Sequence, residues 1–153
     1  MTQTAASQEL IISRVFDAPR ELVYRAFTDP DQLAQWFGPV GYSVPRDTVD
    51  IDARAGGHQR FVMVSDEDPS QRLTFDATFT EVIENELLVD FEDVVPGTDG
   101  TVRGTSRLEF HDEEGGRTRI VLRAGPFTED GVEETRLGWE SSFTKLDALL
   151  KAV

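Results

Sequence analysis

The sequence predicts an α+β fold, in which a curved antiparallel sheet of about seven strands wraps round one long C-terminal helix. A helical pattern runs through residues 130–153, and an alternating apolar and polar pattern runs through much of 43–125. Two short helical segments follow the first predicted strand. The 153 residues are enough for a single domain (1–153) with its own core, and we expect residues 1–8 to be flexible.

The segment Asp130–Val153 has the periodicity of one long amphipathic helix. Apolar side chains recur along one broad stripe, formed by Val132, Trp139, Phe143, Leu146, Leu149, Leu150 and Val153. Asp130 followed by Glu133 predicts a capping pair at the start, and the helix dipole favours Lys145 and Lys151 near the other end. Such a helix needs one extended apolar surface to lie against.

The part of the chain before residue 42 predicts a strand and two short helices. Glu9–Phe16 is rich in β-forming residues and predicts the first strand. Pro19–Thr28 predicts the first helix, because proline is favoured at the first helical position. Asp29 followed by proline repeats this start signal for a second helix over Pro30–Phe37.

Between residues 43 and 125 the apolar period changes to two, which is typical of strands with one buried face. Alternating runs cover 43–53, 58–65, 72–83, 87–94, 101–110 and 117–124. Turn-forming residues separate them, so we expect an antiparallel meander. The small residues Gly104 and Ser106 in a later strand would leave room between sheet and helix, which favours an internal cavity.

Composition and charge exclude several classes of site. The chain has no cysteine, which excludes disulfides, zinc–thiolate sites and thiol nucleophiles. Its net charge of −14 argues against nucleic-acid partners and anionic membranes; it predicts a solvated acidic surface, with salt adaptation as the alternative. No apolar run approaches the ~20 residues of a membrane span. No signal peptide is visible either, so we expect a cytoplasmic protein.

We predict no metal, no cofactor and no catalytic residue. His58 and His111 are the only histidines, and no further ligand stands at metal-binding spacing. No Ser-His-Asp set, Walker loop or dinucleotide fingerprint can be placed. Ala55-Gly56-Gly57 predicts a hairpin turn rather than a phosphate loop, because no helix follows it.

The candidate ligand-cavity residues are large apolar side chains on the surfaces that we expect to face each other. They are Trp36, Phe37, Phe61, Met63, Phe75, Phe79, Phe91, Trp139 and Phe143. Burying one aromatic side chain contributes about 4–6 kcal/mol. Ordinary core packing is therefore the alternative explanation for each of them.

The candidate polar cavity groups are His58, Arg14 and Arg60. Arg14 is in register with the apolar residues of the first strand, and Arg60 is a second candidate to point inward. A buried arginine needs a carboxylate from the protein or from a ligand. Alternatively, its stem covers apolar surface while its head reaches solvent. His58 follows two glycines at the start of a strand, which predicts a position near the cavity mouth.

The segment Arg14–Pro39, RVFDAPRELVYRAFTDPDQLAQWFGP, resembles the opening signature of the family named for the activator of the heat-shock-protein-90 ATPase. This family belongs to the START/SRPBCC superfamily. Further matching pieces follow in order: Ala55-Gly56-Gly57, Gly116-Arg117-Thr118-Arg119, and Gly138-Trp139 with Leu146. The resemblance covers the chain from about Glu9, and it implies a helix-grip fold with an internal, mostly apolar cavity.

Three hypotheses for the function stay open. The resemblance implies a module that binds a small hydrophobic or amphipathic molecule between the sheet and the last helix. The second hypothesis is a cyclase-like or hydrolase-like enzyme, which requires a titratable group of perturbed pKa inside the cavity. The third is a co-chaperone-like role with a chaperone partner, although the namesake's separate N-terminal domain has no counterpart in these 153 residues. Both a monomer and a homodimer are compatible with the sequence.

Overall fold

The computed structural model describes residues 8–92 and 104–152. Their elements, in chain order, are β1 (Gln8–Phe16), α1 (Arg20–Thr28), α2 (Pro30–Trp36), β2 (Tyr42–Ser43), β3 (Asp50–Ile51), β4 (His58–Ser65), β5 (Arg72–Ile83), β6 (Leu87–Glu92), β7 (Gly104–Glu113), β8 (Arg117–Phe127) and α3 (Glu129–Ala152). This order confirms the predicted α+β helix-grip fold.

The described strands form one antiparallel sheet in the order β1-β8-β7-β6-β5-β4, with β2 and β3 both pairing with the outer edge of β4. From β4 to β8, each strand pairs with the next one along the chain. The last strand, β8, also pairs with the first strand, β1. Alternate side chains of every strand therefore face the helices. This inner face buries Ile12, Phe61, Phe79, Leu108 and Leu122, each at most 6% exposed.

The two halves of α3 meet different surroundings on this inner face. The C-terminal half is packed into the core by Phe143, Leu146 and Leu150. In the N-terminal half Trp139 is half-buried, and a Cβ atom added at Gly138 would have no neighbour within 4 Å. Sheet and helix are thus in close contact at one end and separated at the other.

Residues 43–53 do not form the single strand that we predicted. Two strands of two residues each, β2 and β3, are separated by a 3-10 turn at Arg46–Thr48. Pro45 has no amide hydrogen for a β-ladder. The Thr48 hydroxyl donates to the Pro45 carbonyl oxygen at 2.7 Å, which stabilises the turn instead.

The N-terminal caps of α2 and α3 illustrate one correct and one wrong prediction. The Asp29 carboxylate accepts a hydrogen bond from the Asp31 amide at 2.8 Å, with Pro30 as the first residue of α2, as predicted. The cap of α3 is Thr128 rather than Asp130. The Thr128 hydroxyl accepts from the Gly131 amide at 3.0 Å, because a threonine just before the helix reaches that donor directly.

Arg14 connects β1 to α3. Its guanidinium donates to both carboxylate oxygens of Asp147, at 3.2 and 2.6 Å. The guanidinium carbon also lies 4.8 Å from the ring centre of Phe16. Arg14 does point inward, but its carboxylate partner comes from the protein, and a two-pronged arginine–carboxylate pair is among the stronger polar contacts.

We expect the Arg14–Asp147 pair to contribute a coupling energy of about 1 kcal/mol, because both side chains are about one-third exposed and water screens the charges. The measurement is a double-mutant cycle with Arg14→Leu and Asp147→Leu, followed by urea unfolding. The matched control is the Arg20–Asp112 pair, in which the aspartate side chain is 78% exposed. A coupling energy no larger than that of the control would contradict the expectation.

Candidate ligand-binding cavity

A cavity of about 510 Å³ lies between the inner face of the sheet, the C-terminal end of α2 and the N-terminal half of α3. This volume is within the range of about 300–1,000 Å³ that is usual for small-molecule sites. Most of the wall is hydrocarbon, contributed by aromatic, aliphatic and small side chains. Gly104 and Ser106 are part of it, at the positions where the sequence predicted room.

Three phenylalanines form a continuous side of this cavity, which we call the aromatic wall: Phe37, Phe61 and Phe75. Phe61 and Phe75 are opposite each other on β4 and β5, and their rings stack with centres 4.9 Å apart. The Phe37 ring meets Phe61 edge-on at 4.6 Å. On the helix side, the Trp139 ring lies 5.4 Å from that of Phe37. The wall therefore extends from the sheet to α3.

Phe37 reaches the aromatic wall because α2 ends there. Phe37 leaves the helix in an extended conformation, and Gly38 follows with a φ of 98°. This left-handed conformation favours glycine. A Cβ atom at Gly38 would also lie only 3.1 Å from the Met63 sulfur, which itself lines the cavity. The sequence Phe-Gly-Pro thus ends the helix and directs the ring inward.

Six of the predicted cavity residues line the cavity, namely Phe37, Phe61, Met63, Phe75, Phe79 and Trp139. The residues on β4 and β5 share the inner face because they occupy alternate positions along their strands. Their role in holding a ligand stays a prediction.

Trp36 and Phe143 belong to the core and not to the cavity, contrary to the prediction. Both are fully buried. The Trp36 indole donates to the Ala26 carbonyl oxygen at 2.8 Å, and its ring meets Phe27 at 4.8 Å. Phe143 packs edge-on against Phe16 at 5.3 Å. These contacts satisfy both side chains within the protein, so neither faces the cavity.

Phe91 was also predicted to line the cavity, and the structure places it on the other face of β6. The lining residues of this strand are Leu88, Asp90 and Glu92. Since neighbouring side chains in a strand point to opposite faces, Phe91 is directed away from the cavity.

None of the predicted polar cavity groups lines the cavity. On β4 the inward positions are Gln59, Phe61 and Met63, so His58 and Arg60 are on the outer face. There Arg60 pairs with Asp76 at 3.1 Å, and His58 Nε2 lies 3.0 Å from Asp50 Oδ2. Arg14, as described above, is paired with Asp147.

The polar groups that do line the cavity are carboxylates that the sequence did not single out: Asp90, Glu92 and Glu134. Asp90 lies between Phe79 on β5 and Ser106 on β7. The alternation of acids in β6 is the available signal, but the apolar residues at the opposite positions predict the other face of the strand as the inner one. The pairing of β6 with β5 and β7 determines which face of β6 is the inner one, because Phe79 and Leu108 are buried on that face of the sheet.

The environment of Asp90 and Glu92 disfavours their ionised forms. Burial raises the pKa of Asp90 to about 7, because the ionised carboxylate loses hydration. The pKa of Glu92 is also raised to about 7, by burial and then by the negative charges of Asp90 and Asp76. Glu92 Oε2 is buried and has no hydrogen-bond partner. Both carboxyl groups therefore change protonation near neutral pH.

Within residues 8–92 and 104–152, no group of three or more histidine, aspartate and glutamate side chains is arranged to hold a metal ion. No helix of these segments combines the length and the apolar character needed to cross a bilayer.

Several solved bacterial structures resemble this chain over nearly its whole length. A protein from Chromobacterium violaceum has a TM-score of 0.80 at 25% identity, covering 93% of this chain and 96% of its own. A protein from Nitrosomonas europaea has a TM-score of 0.76 at 26% identity, covering 94% of each chain. An AHSA1 protein from Silicibacter pomeroyi has a TM-score of 0.74 at 29% identity, covering 95% of this chain and 99% of its own. No curated protein matches the sequence.

The family described as activator of Hsp90 ATPase homolog 1-like protein matches residues 17–151. The match spans the two short helices, the described strands after β1 and nearly all of α3. It agrees with the helix-grip architecture and with the resemblance of the segment that begins at Arg14. The chain therefore belongs to the activator of Hsp90 ATPase homolog 1-like family, within the START/SRPBCC superfamily.

Proposed function

We propose that the protein binds a small hydrophobic or amphipathic molecule in the cavity between the sheet and α3. The observation that carries this proposal is an apolar space of about 510 Å³ that the side chains of residues 8–92 and 104–152 leave unfilled. Protein interiors are normally packed without such space, since a void loses the contacts that its lining would make.

Small residues at facing positions keep the space open. Ser106 and Ala124 lie opposite each other on β7 and β8, and both line the cavity. Gly138 lines the same cavity from α3, and a Cβ atom added there would have no neighbour within 4 Å. The space beside Gly138 is therefore part of the volume open to a ligand.

A cyclase-like or hydrolase-like enzyme is a second candidate, and one observation favours it. Asp90 and Glu92, both lining the cavity, have a pKa raised to about 7, which is the range in which a carboxyl group acts well as a general acid or base near neutral pH. Binding alone would need only the aromatic wall. The chaperone partner suggested by the family's name, the cytoplasmic location and the oligomeric state stay predictions.

Filling the cavity from the helix should weaken ligand binding without unfolding the protein. We expect Gly138→Leu to weaken binding of the neutral fluorescent probe N-phenyl-1-naphthylamine by at least about tenfold, because the new side chain occupies the same volume. The measurement is the rise in probe fluorescence on titration.

Two control variants accompany this test. Gly138→Ala should keep binding and raise the free energy of unfolding by about 1 kcal/mol, through its higher helix propensity. Leu137→Ala should leave binding unchanged, because Leu137 is 66% exposed and outside the cavity lining. Wild-type affinity in Gly138→Leu would place the probe elsewhere and contradict the proposal.

The buried carboxyl groups should make stability depend on pH. The pKa of Asp90 is about 7 when folded and 3.8 as its ordinary value, so the protonated group favours the folded state. Its contribution is full below about pH 4 and is lost as the pH rises through about 7. We therefore compare the free energy of unfolding of Asp90→Asn with that of the wild type. The variant minus wild-type difference should be about 1–3 kcal/mol larger at about pH 8 than at about pH 4.

The measurement is urea unfolding at both pH values. Asp17→Asn, at an exposed position, is the matched control and should show no comparable change between them. An Asp90→Asn effect that is the same at both pH values would show that the carboxyl group is not desolvated.

A further inference from the structure

The cavity combines an apolar wall with acidic groups and lacks any counterion among the described residues. Asp90 and Glu92 line it from β6, and Glu134 lines it from α3. No lysine, arginine or histidine of residues 8–92 and 104–152 is in the lining. By contrast, the inward-pointing charge of Arg14 is neutralised by an ion pair with Asp147 within the protein.

We propose that the ligand is an amphipathic amine, whose protonated nitrogen is bound by Asp90 and Glu92 while its hydrocarbon part lies against the aromatic wall. This inference rests on the proposed binding function and specifies the chemical class of the ligand.

The sheet leaves room for such a group next to both carboxylates. Asp90 is followed across the sheet by Ser106 on β7 and Ala124 on β8, each small. Glu92 is opposite Gly104, which has no side chain. All these positions line the cavity, so the space beside the acids is continuous with the space beside the phenylalanines.

One carboxylate oxygen of the cavity lacks a hydrogen-bond donor, which the ligand nitrogen would supply. Glu92 Oε2 is buried and receives no hydrogen bond. Such an atom costs free energy unless a donor reaches it, and a donor that carries positive charge makes the stronger bond. An ammonium group has three N–H donors, enough for two carboxylates. A ligand carboxylate would instead meet like charge.

The charges around the site predict how binding depends on pH. Asp76 of β5 adds negative charge near Glu92 from outside the cavity, and Glu134 of α3 adds a carboxylate within its lining. The lining residues of β4, β7 and β8 are uncharged, as are those of α1 and α2. Since Asp90 and Glu92 each have a pKa of about 7, they are mostly ionised above this pH and mostly protonated below it. Amine affinity should therefore fall as the pH is lowered.

Three probes with one hydrocarbon part test the inference: 4-phenylbutylamine, 4-phenylbutan-1-ol and 5-phenylpentanoate. By titration calorimetry at about pH 8, we expect the amine to bind at least about tenfold more tightly than the alcohol, and the carboxylate to bind most weakly. Between about pH 8 and pH 5.5 the amine should lose about tenfold in affinity, while the alcohol should not weaken.

The double variant Asp90→Asn/Glu92→Gln should bring the affinities of amine and alcohol to within about twofold of each other, with alcohol binding retained. The matched control is Glu140→Gln, at an exposed position of α3 outside the cavity lining, and it should keep the amine preference. Retained alcohol binding also shows that the double variant is folded with an intact cavity.

An amine that binds no more tightly than the alcohol overturns the inference, and so does a preference that survives in the double variant. If the alcohol binds to the wild type and is blocked by Gly138→Leu, the proposed binding function stands while this inference fails. If none of the three probes binds at about millimolar concentration, both fail.

Discussion

Six long antiparallel strands at the usual spacing make a sheet about 24 Å wide, whereas a helix with its side chains is about 10–12 Å across. One helix cannot fill the inner face of such a sheet. The chain resolves this mismatch in two ways. Near β1 and the C-terminal half of α3, the short helices α1 and α2 add large side chains and complete a packed core. Near the N-terminal half of α3, small residues leave the space unfilled.

The aromatic residues also belong to two groups, one in the packed core and one beside the cavity. Trp36, Phe16 and Phe143 are fully buried, and their ring contacts pack the helices against β1. They therefore stabilise the fold. Phe37 touches both sets, because its ring lies 5.5 Å from Trp36 and 4.6 Å from Phe61. The aromatic wall is thereby held in place by the core behind it. A cavity supported in this way is preformed, which lowers the ordering cost of binding.

The two carboxyl groups on β6 add ionisable groups to a cavity whose wall is otherwise mostly apolar. Asp90 and Glu92 raise the energy of the folded state when ionised, since each has lost hydration. A protein core would be more stable with apolar residues at these positions. Their presence inside a ligand-sized space is understandable if a bound molecule supplies the missing donors or uses the protons.

Local signals in the sequence were enough for the element order and the family. Asp29 and Pro30 start a helix as predicted, and turn residues separate the strands. The phase of β6 could not be predicted, because Leu87 and Leu88 put apolar residues on both faces. Only pairing with β5 and β7 decides that Asp90 faces inward. Likewise, the hydrogen bond from Trp36 to Ala26, which marks a core residue, depends on how α1 meets α2.

An NMR titration of the ¹⁵N-labelled protein with N-phenyl-1-naphthylamine shows whether a ligand enters the cavity, because it locates the ligand residue by residue. We expect saturable shifts at the amides of Phe61, Phe75 and Gly138 and at the indole of Trp139, all in the cavity lining. Saturable shifts confined to Ile11 and Val15, which are exposed on β1, would contradict binding in the cavity.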